Sequence, residues 1–414
     1  MLPSPARAAV PRPWPRLFPI PALYAACAVF AAATAAVTAL APHRTWGTIA
    51  AAAYGLGALA ALHPRGRERP AAVAGAVLAG AVPLPLAVLA ALGQAQPEVD
   101  VVHRSAAHLL EHGTPYLGPA EAAAHGGYEA FNPYLPGMAL LGLPHALAGV
   151  DARLVFGALF VALLVASSAR RDLRLPLLPL LFIAASPLVA LPLTVGGDDL
   201  PVIGLACLGL ALAVRDRPAA AGLVMGVAAT LKATAWPALI VCLVLIAARR
   251  HRTREARMAP VPAACARAPW SAFAMVAGGV VAAGVLVPAL IDPQGFLLNV
   301  VRFPLGLAGV DSPAASPLPG RLLADLGAYG HAAALALLGL AALGMAVSLA
   351  VRPPRDARSA ALRLSLGLLL AMALMPATRW GYLVYPAVLA LWAHLAAPVP
   401  APAQKQEEEL CLVA

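Results

Sequence analysis

Charge is the scarcest thing in this chain. Asp, Glu, Lys and Arg make up only 12% of its 414 residues, against 61% hydrophobic residues and a mean hydropathy of +0.80, a balance that excludes an ordinary soluble domain. Lysine is scarcer still: of 29 basic residues, only Lys232 and Lys405 are lysines. Cysteine is limited to Cys27, Cys207, Cys242, Cys265 and Cys411. Three of these lie in apolar runs and two in segments expected in the cytoplasm, so they form no disulfide framework and read as small apolar core residues. Cys411-Leu-Val-Ala414 has the outline of a prenylation box, which in this composition is read as coincidence. No boundary between soluble domains is visible, and no internal repeat of the kind that marks many transporters.

In place of these features the chain has a succession of apolar runs. A membrane-spanning helix takes about 20 apolar residues, and about twelve such segments fit, some of them short. They are expected at 18–40, 46–62, 71–92, 152–169, 174–194, 199–214, 217–232, 235–249, 269–290, 331–351, 360–376 and 381–398. Unpaired backbone groups are too costly in lipid, so all should be helical. The expected fold is an all-α polytopic membrane protein of about twelve transmembrane helices, with one integral domain over 17–398 and disordered cytoplasmic ends at 1–16 and 399–414. Arginine and proline precede the first helix and no small-residue cleavage site follows, which reads as a retained signal anchor.

Orientation follows from arginine. A cytoplasmic N-terminus puts Arg7, Arg12, Arg16, Arg65, Arg67, Arg69, Arg170, Arg171 and Arg174 inside, with the basic clusters at 215–217, 249–267 and 352–363 and Lys405. That gathers 22 of the 29 basic residues on one side, as the positive-inside rule requires. Both termini are then cytoplasmic, and the basic linker 250–268 lies near anionic headgroups. The opposite side receives 93–151, 195–199 and 291–330, which carry 11 of the 19 acidic residues. The count requires Pro136–Gly149 not to cross the membrane; it is short and interrupted by Pro144, and is expected to lie along the outer interface, as is a second helix from about Val101 to His112.

The candidate site residues follow from that outer surface. Asp100 ends an apolar run and opens the longest polar connection, with Glu98, His103, Arg104, Tyr116 and Tyr134 beside it; it is either a solvated charge or a working carboxylate on a platform of aromatics and prolines. Lys232 stands at the outer end of a helix, either snorkelling to the interface or offering a compact ammonium to a phosphate or carboxylate. Asp198 and Asp199 follow Gly196-Gly197 in a tight turn, as helix caps or as partners of a substrate hydroxyl or a cation. Arg379 lies between Thr378 and Trp380, with Tyr382 close by. The aromatics suit an interfacial belt, and the arginine suits a lipid phosphate.

These motifs resemble the membrane-embedded GT-C glycosyltransferases, and among them the bacterial polyprenyl-phosphate-dependent mannosyltransferases of glycosyltransferase family 87. The family pattern D-x-x-x-x-x-A-x-x-L-x-x-G-x-P-Y is matched by Asp100, Ala106, Leu109, Gly113, Pro115 and Tyr116. The aromatic and proline closure of the loop is matched by Asn132-Pro133-Tyr134-Leu135-Pro136, and G-x-x-x-G-x-A-x-x-x-K by Gly222, Gly226, Ala228 and Lys232. Pro376 to Tyr382 echoes a late proline and tryptophan stretch. The chain departs from the pattern in two extra helices before Asp100 and in lacking the histidine often found in the last motif.

The resemblance implies an inverting glycosyltransferase of a bacterial plasma membrane. It would move mannose or another hexose or pentose from a polyprenyl-phosphate donor to a lipid or glycan acceptor on the extracytoplasmic face. Asp100 is then the general base, Lys232 and Arg379 meet the leaving phosphate, and Asp198, Asp199, His103, Arg104, Tyr116, Tyr134, Trp380 and Tyr382 line the substrate. No cofactor or nucleic acid is expected; with two cations at the phosphate a metal is not needed, a question that Asp198 and Asp199 keep open. The competing readings are a transporter or lipid flippase, which would place charges near helix midpoints and not at outer ends, and a catalytically dead scaffold.

Overall fold

A computed structural model describes residues 19–168, 177–256, 269–310 and 313–395. The expectations for the two termini, for Arg170, Arg171 and Arg174, for Cys265 and Cys411, and for the distal linker 257–268 lie outside those residues. The described residues are helical apart from loops, with a single isolated bridge between Ala315 and Thr378.

Within the described residues, the expected apolar segments are occupied by helices or by consecutive helical pieces. Six are long and apolar enough to cross a membrane: Ile20–Val37, Ala41–Leu62, Pro70–Ala91, Pro269–Ile291, Ala328–Val351 and Ala357–Leu374. The shorter apolar helices Ala152–Ser168, Asp199–Val214, Pro218–Leu231, Ala233–Arg249 and Trp380–Leu395 complete a multi-pass membrane architecture. Two segments depart from simple rods. The run at 174–194 divides into Leu177–Ala185 and Pro187–Val195, because Ser186 precedes a proline and is held extended at φ −60°, ψ 133°. Trp236–Ala256 continues past the expected end at 249, since arginine is a good helix former and adding residues to an existing helix is cheap.

Asp199–Val214 is the hub of the molecule. It is apolar all round apart from its first residue and buried along most of its length, which a helix can be only when partners surround it. Those partners are Ala152–Ser168, Pro218–Leu231, Trp236–Ala256, Ala357–Leu374 and Val384–Leu395. The glycines of Pro218–Leu231 explain part of its motif: a Cβ on Gly222 would stand 2.5 Å from the Phe273 carbonyl oxygen, and one on Gly226 would stand 2.9 Å from Val280 Cβ. Small residues at that spacing let two membrane helices close on each other. The N-terminal helices form a second core, in which Trp46 donates to the Ala81 carbonyl (2.9 Å) and Tyr54 to the Ala185 carbonyl (2.5 Å).

The two large polar connections, 93–151 and 291–330, pack together through their described residues. Asn132 sits between Ser105 Oγ (2.9 Å) and Asn299 Oδ1, which accepts from its backbone N–H (2.8 Å). Asn299, fully buried in the π-helical turn Leu297–Arg302, donates to the carbonyls of Leu117 (3.1 Å) and Gly295 (2.9 Å). Thr114 Oγ1 donates to Asp292 (2.7 Å), and Phe131 stacks on Phe303 with centroids 4.7 Å apart. Where a helix is expected from about Val101 to His112, an amphipathic helix runs over Pro97–His112; 136–149 is a 3-10 run followed by a short α-helix.

Candidate active site

Three breaks in the helical pattern converge. Pro187–Val195 ends at Gly196, whose φ of +105° suits glycine and whose missing Cβ would lie 2.2 Å from Val99 Cγ2. The turn that follows presents Asp198 and Asp199. Pro218–Leu231 ends at Lys232, which turns extended at φ −147°, ψ 146°. That end is fixed by the Leu135 N–H donating to the Leu231 carbonyl (3.1 Å), and by Thr230 wedged where Cβ atoms on Gly137 and Gly284 would collide with it. The 3-10 turn Trp380–Leu383 then leads into Val384–Leu395, carrying Tyr382 and Tyr385 inward.

Lys232 Nζ donates to Asp198 Oδ1 (2.9 Å) and Asp199 Oδ1 (2.5 Å) and lies 4.8 Å from the centre of the Tyr134 ring. Asp199 Oδ1 also accepts from the Tyr385 hydroxyl (2.8 Å). That spends the tyrosine's single proton, so Thr234 donates to Tyr385 across 2.7 Å. Both aspartates are buried and the lysine side chain is only 11% exposed, which excludes snorkelling. Capping fails as well, because the Asp198 side chain accepts nothing from the helix it precedes. Its second oxygen, Oδ2, is buried with no partner among the described residues. Each charge sits at the helix pole that favours it: carboxylates at the start of Asp199–Val214, the ammonium at the end of Pro218–Leu231.

Arg379 pairs with Glu98 in the first turn of Pro97–His112, and remains a third exposed. Glu98, Arg379, Tyr382, Lys232 and the two aspartates act electrostatically on one another, so the two clusters are one field. Asp100 lies two residues on, roughly half a helical turn round from Glu98. It is exposed and has no hydrogen bond or ion pair among the described residues.

The remaining candidates divide. Tyr134 and Tyr382 join the centre. Tyr116 is buried and donates to the Tyr134 carbonyl (3.0 Å), supporting the loop from behind. Arg104 donates to the Glu129 carbonyl, and Trp380 is half exposed with its backbone N–H donating to Ser316 Oγ. His103 stacks on His145 (3.5 Å) and accepts from the Ala152 N–H (3.0 Å); burial first, and then His145, push its pKa below the ordinary imidazole value. Burial would raise the neighbouring Asp151, but hydrogen bonds and charge from Arg153 outweigh it and hold the carboxyl below the usual range.

Glu98, Thr234 and Tyr385 complete the site without having stood out as its members. Glu98 sits beside Asp100 in the outer composite, but nothing in the sequence joins it to Arg379. A tyrosine in an apolar run carries no mark of its partner.

Neither the curated proteins nor the solved structures contain a match to this chain. The model of glycosyltransferase family 87 does match, over residues 132–376, well over half the chain and spanning Tyr134, Asp198, Asp199 and Lys232. This multi-pass membrane protein therefore belongs to glycosyltransferase family 87 and is a transferase acting on a sugar donor and an acceptor.

Proposed function

We propose that the protein transfers a hexose or pentose, mannose being the first candidate, with inversion from a polyprenyl-phosphate donor to a lipid or glycan acceptor on the extracytoplasmic face of a bacterial plasma membrane. The observation that carries this reading is the buried Lys232–Asp198–Asp199 centre beside Arg379, at the helix ends that the arginine count assigns to the outer side. A transporter path would place such charges along helix midpoints.

The arrangement supports a division of roles. Lys232 is engaged by two carboxylates, so it orients them, and the lone Asp198 Oδ2 is an acceptor suited to a sugar hydroxyl. Arg379, a third exposed, is the cation with room for a phosphate oxygen. The acceptor oxygen attacks the anomeric carbon as the bond to the lipid phosphate breaks. The acceptor proton passes to a carboxylate, and the polyprenyl phosphate leaves with its new charge met by Arg379.

Asp100 is the proposed base. Asp198 and Asp199 share Lys232, and Glu98 and Asp151 each pair with an arginine, whereas Asp100 is exposed and makes no ion pair among the described residues, with the Arg104 guanidinium acting on it from one turn along the helix. Glu98 is the second candidate, because its pairing with Arg379 joins it to the centre. The two are separated by assaying Asp100→Asn and Glu98→Gln on a polyprenyl-phosphate sugar. Asp100→Asn should fold normally and lose about 10²- to 10⁴-fold in transfer; near-normal transfer by it, with loss in Glu98→Gln, would move the base to Glu98. Arg379→Ala should weaken donor binding, and unchanged affinity would remove its phosphate role.

A further inference from the structure

The two N-terminal helices lie outside the family-matched residues, yet one of them reaches the active centre. Ala41–Leu62 begins at the same end of the bundle as the Asp198 turn, and its first turns touch the short connection Gln94–Gln96 twice. Thr45 Oγ1 donates to Gln94 Oε1 (3.4 Å), and His43 Nε2 lies 3.0 Å from Gln96 Nε2. An amide nitrogen donates, so the ring nitrogen facing it accepts and the ring proton sits on Nδ1. That Nδ1 is buried and has no partner among the described residues, which leaves Gln96 as the anchor of the ring. A buried donor without a partner is costly, and an apolar residue would fill the same space without the cost.

Gln96 stands between the two halves of the site. Its backbone N–H donates to the Val195 carbonyl (3.0 Å), at the end of the helix that delivers Asp198 and Asp199. Two residues later comes Glu98, the partner of Arg379, and the charges that act on the His43 ring include Glu98 and Arg379. We infer that His43 is a positioning residue: through Gln96 it fixes the start of Pro97–His112 against the Asp198 turn, so that the N-terminal helix pair is a working part of the active centre. A displacement of about 1 Å at such a centre costs on the order of 100-fold in rate, so the strut need not touch substrate to matter.

The inference rests on the proposed function only for the identity of the site it positions. Full-length wild type, His43→Ala and His43→Gln in lipid nanodiscs are compared by amide hydrogen exchange and by transfer per folded protein. In His43→Ala, exchange should rise about tenfold or more at 101–105 while 46–62 stays protected, and transfer should fall about tenfold or more. His43→Gln, which keeps a polar group at that reach, should restore most of both. Unchanged exchange at 101–105, or loosening that spreads over 46–62 as well, would reduce His43 to ordinary packing. If His43→Ala does not fold, Gln96→Leu removes the same contact from the other side and must give the same pattern. Wild type that transfers from no polyprenyl-phosphate sugar would overturn the donor assignment, and the exchange measurement would still decide His43.

Discussion

Two buried carboxylates that share one lysine depend on its charge. Removing the ammonium leaves uncompensated negative charge in a low dielectric, a change that costs about 3–5 kcal/mol in comparable buried pairs. Lys232→Ala should therefore lower the unfolding midpoint in detergent markedly; a midpoint within about a degree of wild type would show the carboxylates to be solvated or protonated. His103 makes a pH prediction. Its folded pKa lies below the ordinary value, so its contribution is complete above about pH 6.5 and is lost as pH falls through the folded value, when Nε2 can no longer accept from Ala152. Thermal midpoints should fall on acidification from pH 7 to 5, and His103→Gln should remove that component (about pH 7 to 5 spans the imidazole range). At this scale the sequence was partly readable. Lys232 announced itself by the rarity of lysine, and Asp198 and Asp199 by their place after two glycines. Their mutual pairing did not show, and neither did Glu98 with Arg379, 281 residues apart, or Tyr385 with Asp199, 186 apart, because contacts across a bundle leave no spacing in the chain.

Helices in this molecule are set by lipid, and their breaks by chemistry. Hydrophobic runs marked the long apolar helices, since the bilayer leaves the backbone no alternative, while short helices in the polar connections such as Pro119–His125 and Pro319–Ala324 carried no such mark. Breaks at Ser186-Pro187 and Gly196 carry proline and glycine signals that place the interruption without revealing its use. The joining of the two large polar connections had no signal at all, because it depends on Asn132 and Asn299, two unremarkable amides. Asn299→Ala would leave the Asn132 N–H and the Leu117 and Gly295 carbonyls short of a partner in a buried site, at about 1–3 kcal/mol for a buried unsatisfied group. The expected result is proteolytic sensitivity within 113–135 with the membrane helices intact; equal resistance of mutant and wild type would mean that the Phe131–Phe303 stack and Thr114–Asp292 bond suffice.

At the scale of the whole molecule, the candidate active centre lies at one end of a helical bundle, with its lysine, carboxylates and arginine all drawn from helix termini. Orientation of that end follows from arginine alone and is open to a direct check. Cysteines introduced at Glu111 and Arg67, both exposed, should label from opposite sides of the membrane with an impermeant reagent; labelling from one side would reverse the topology. The most direct test of the central claim is the donor. Wild-type protein in nanodiscs is given a set of polyprenyl-phosphate sugars and the corresponding nucleotide sugars, and the anomeric configuration of the product is read by NMR. Transfer from a polyprenyl-phosphate sugar with inverted configuration is the predicted result; transfer from a nucleotide sugar, or retention of configuration, would contradict it.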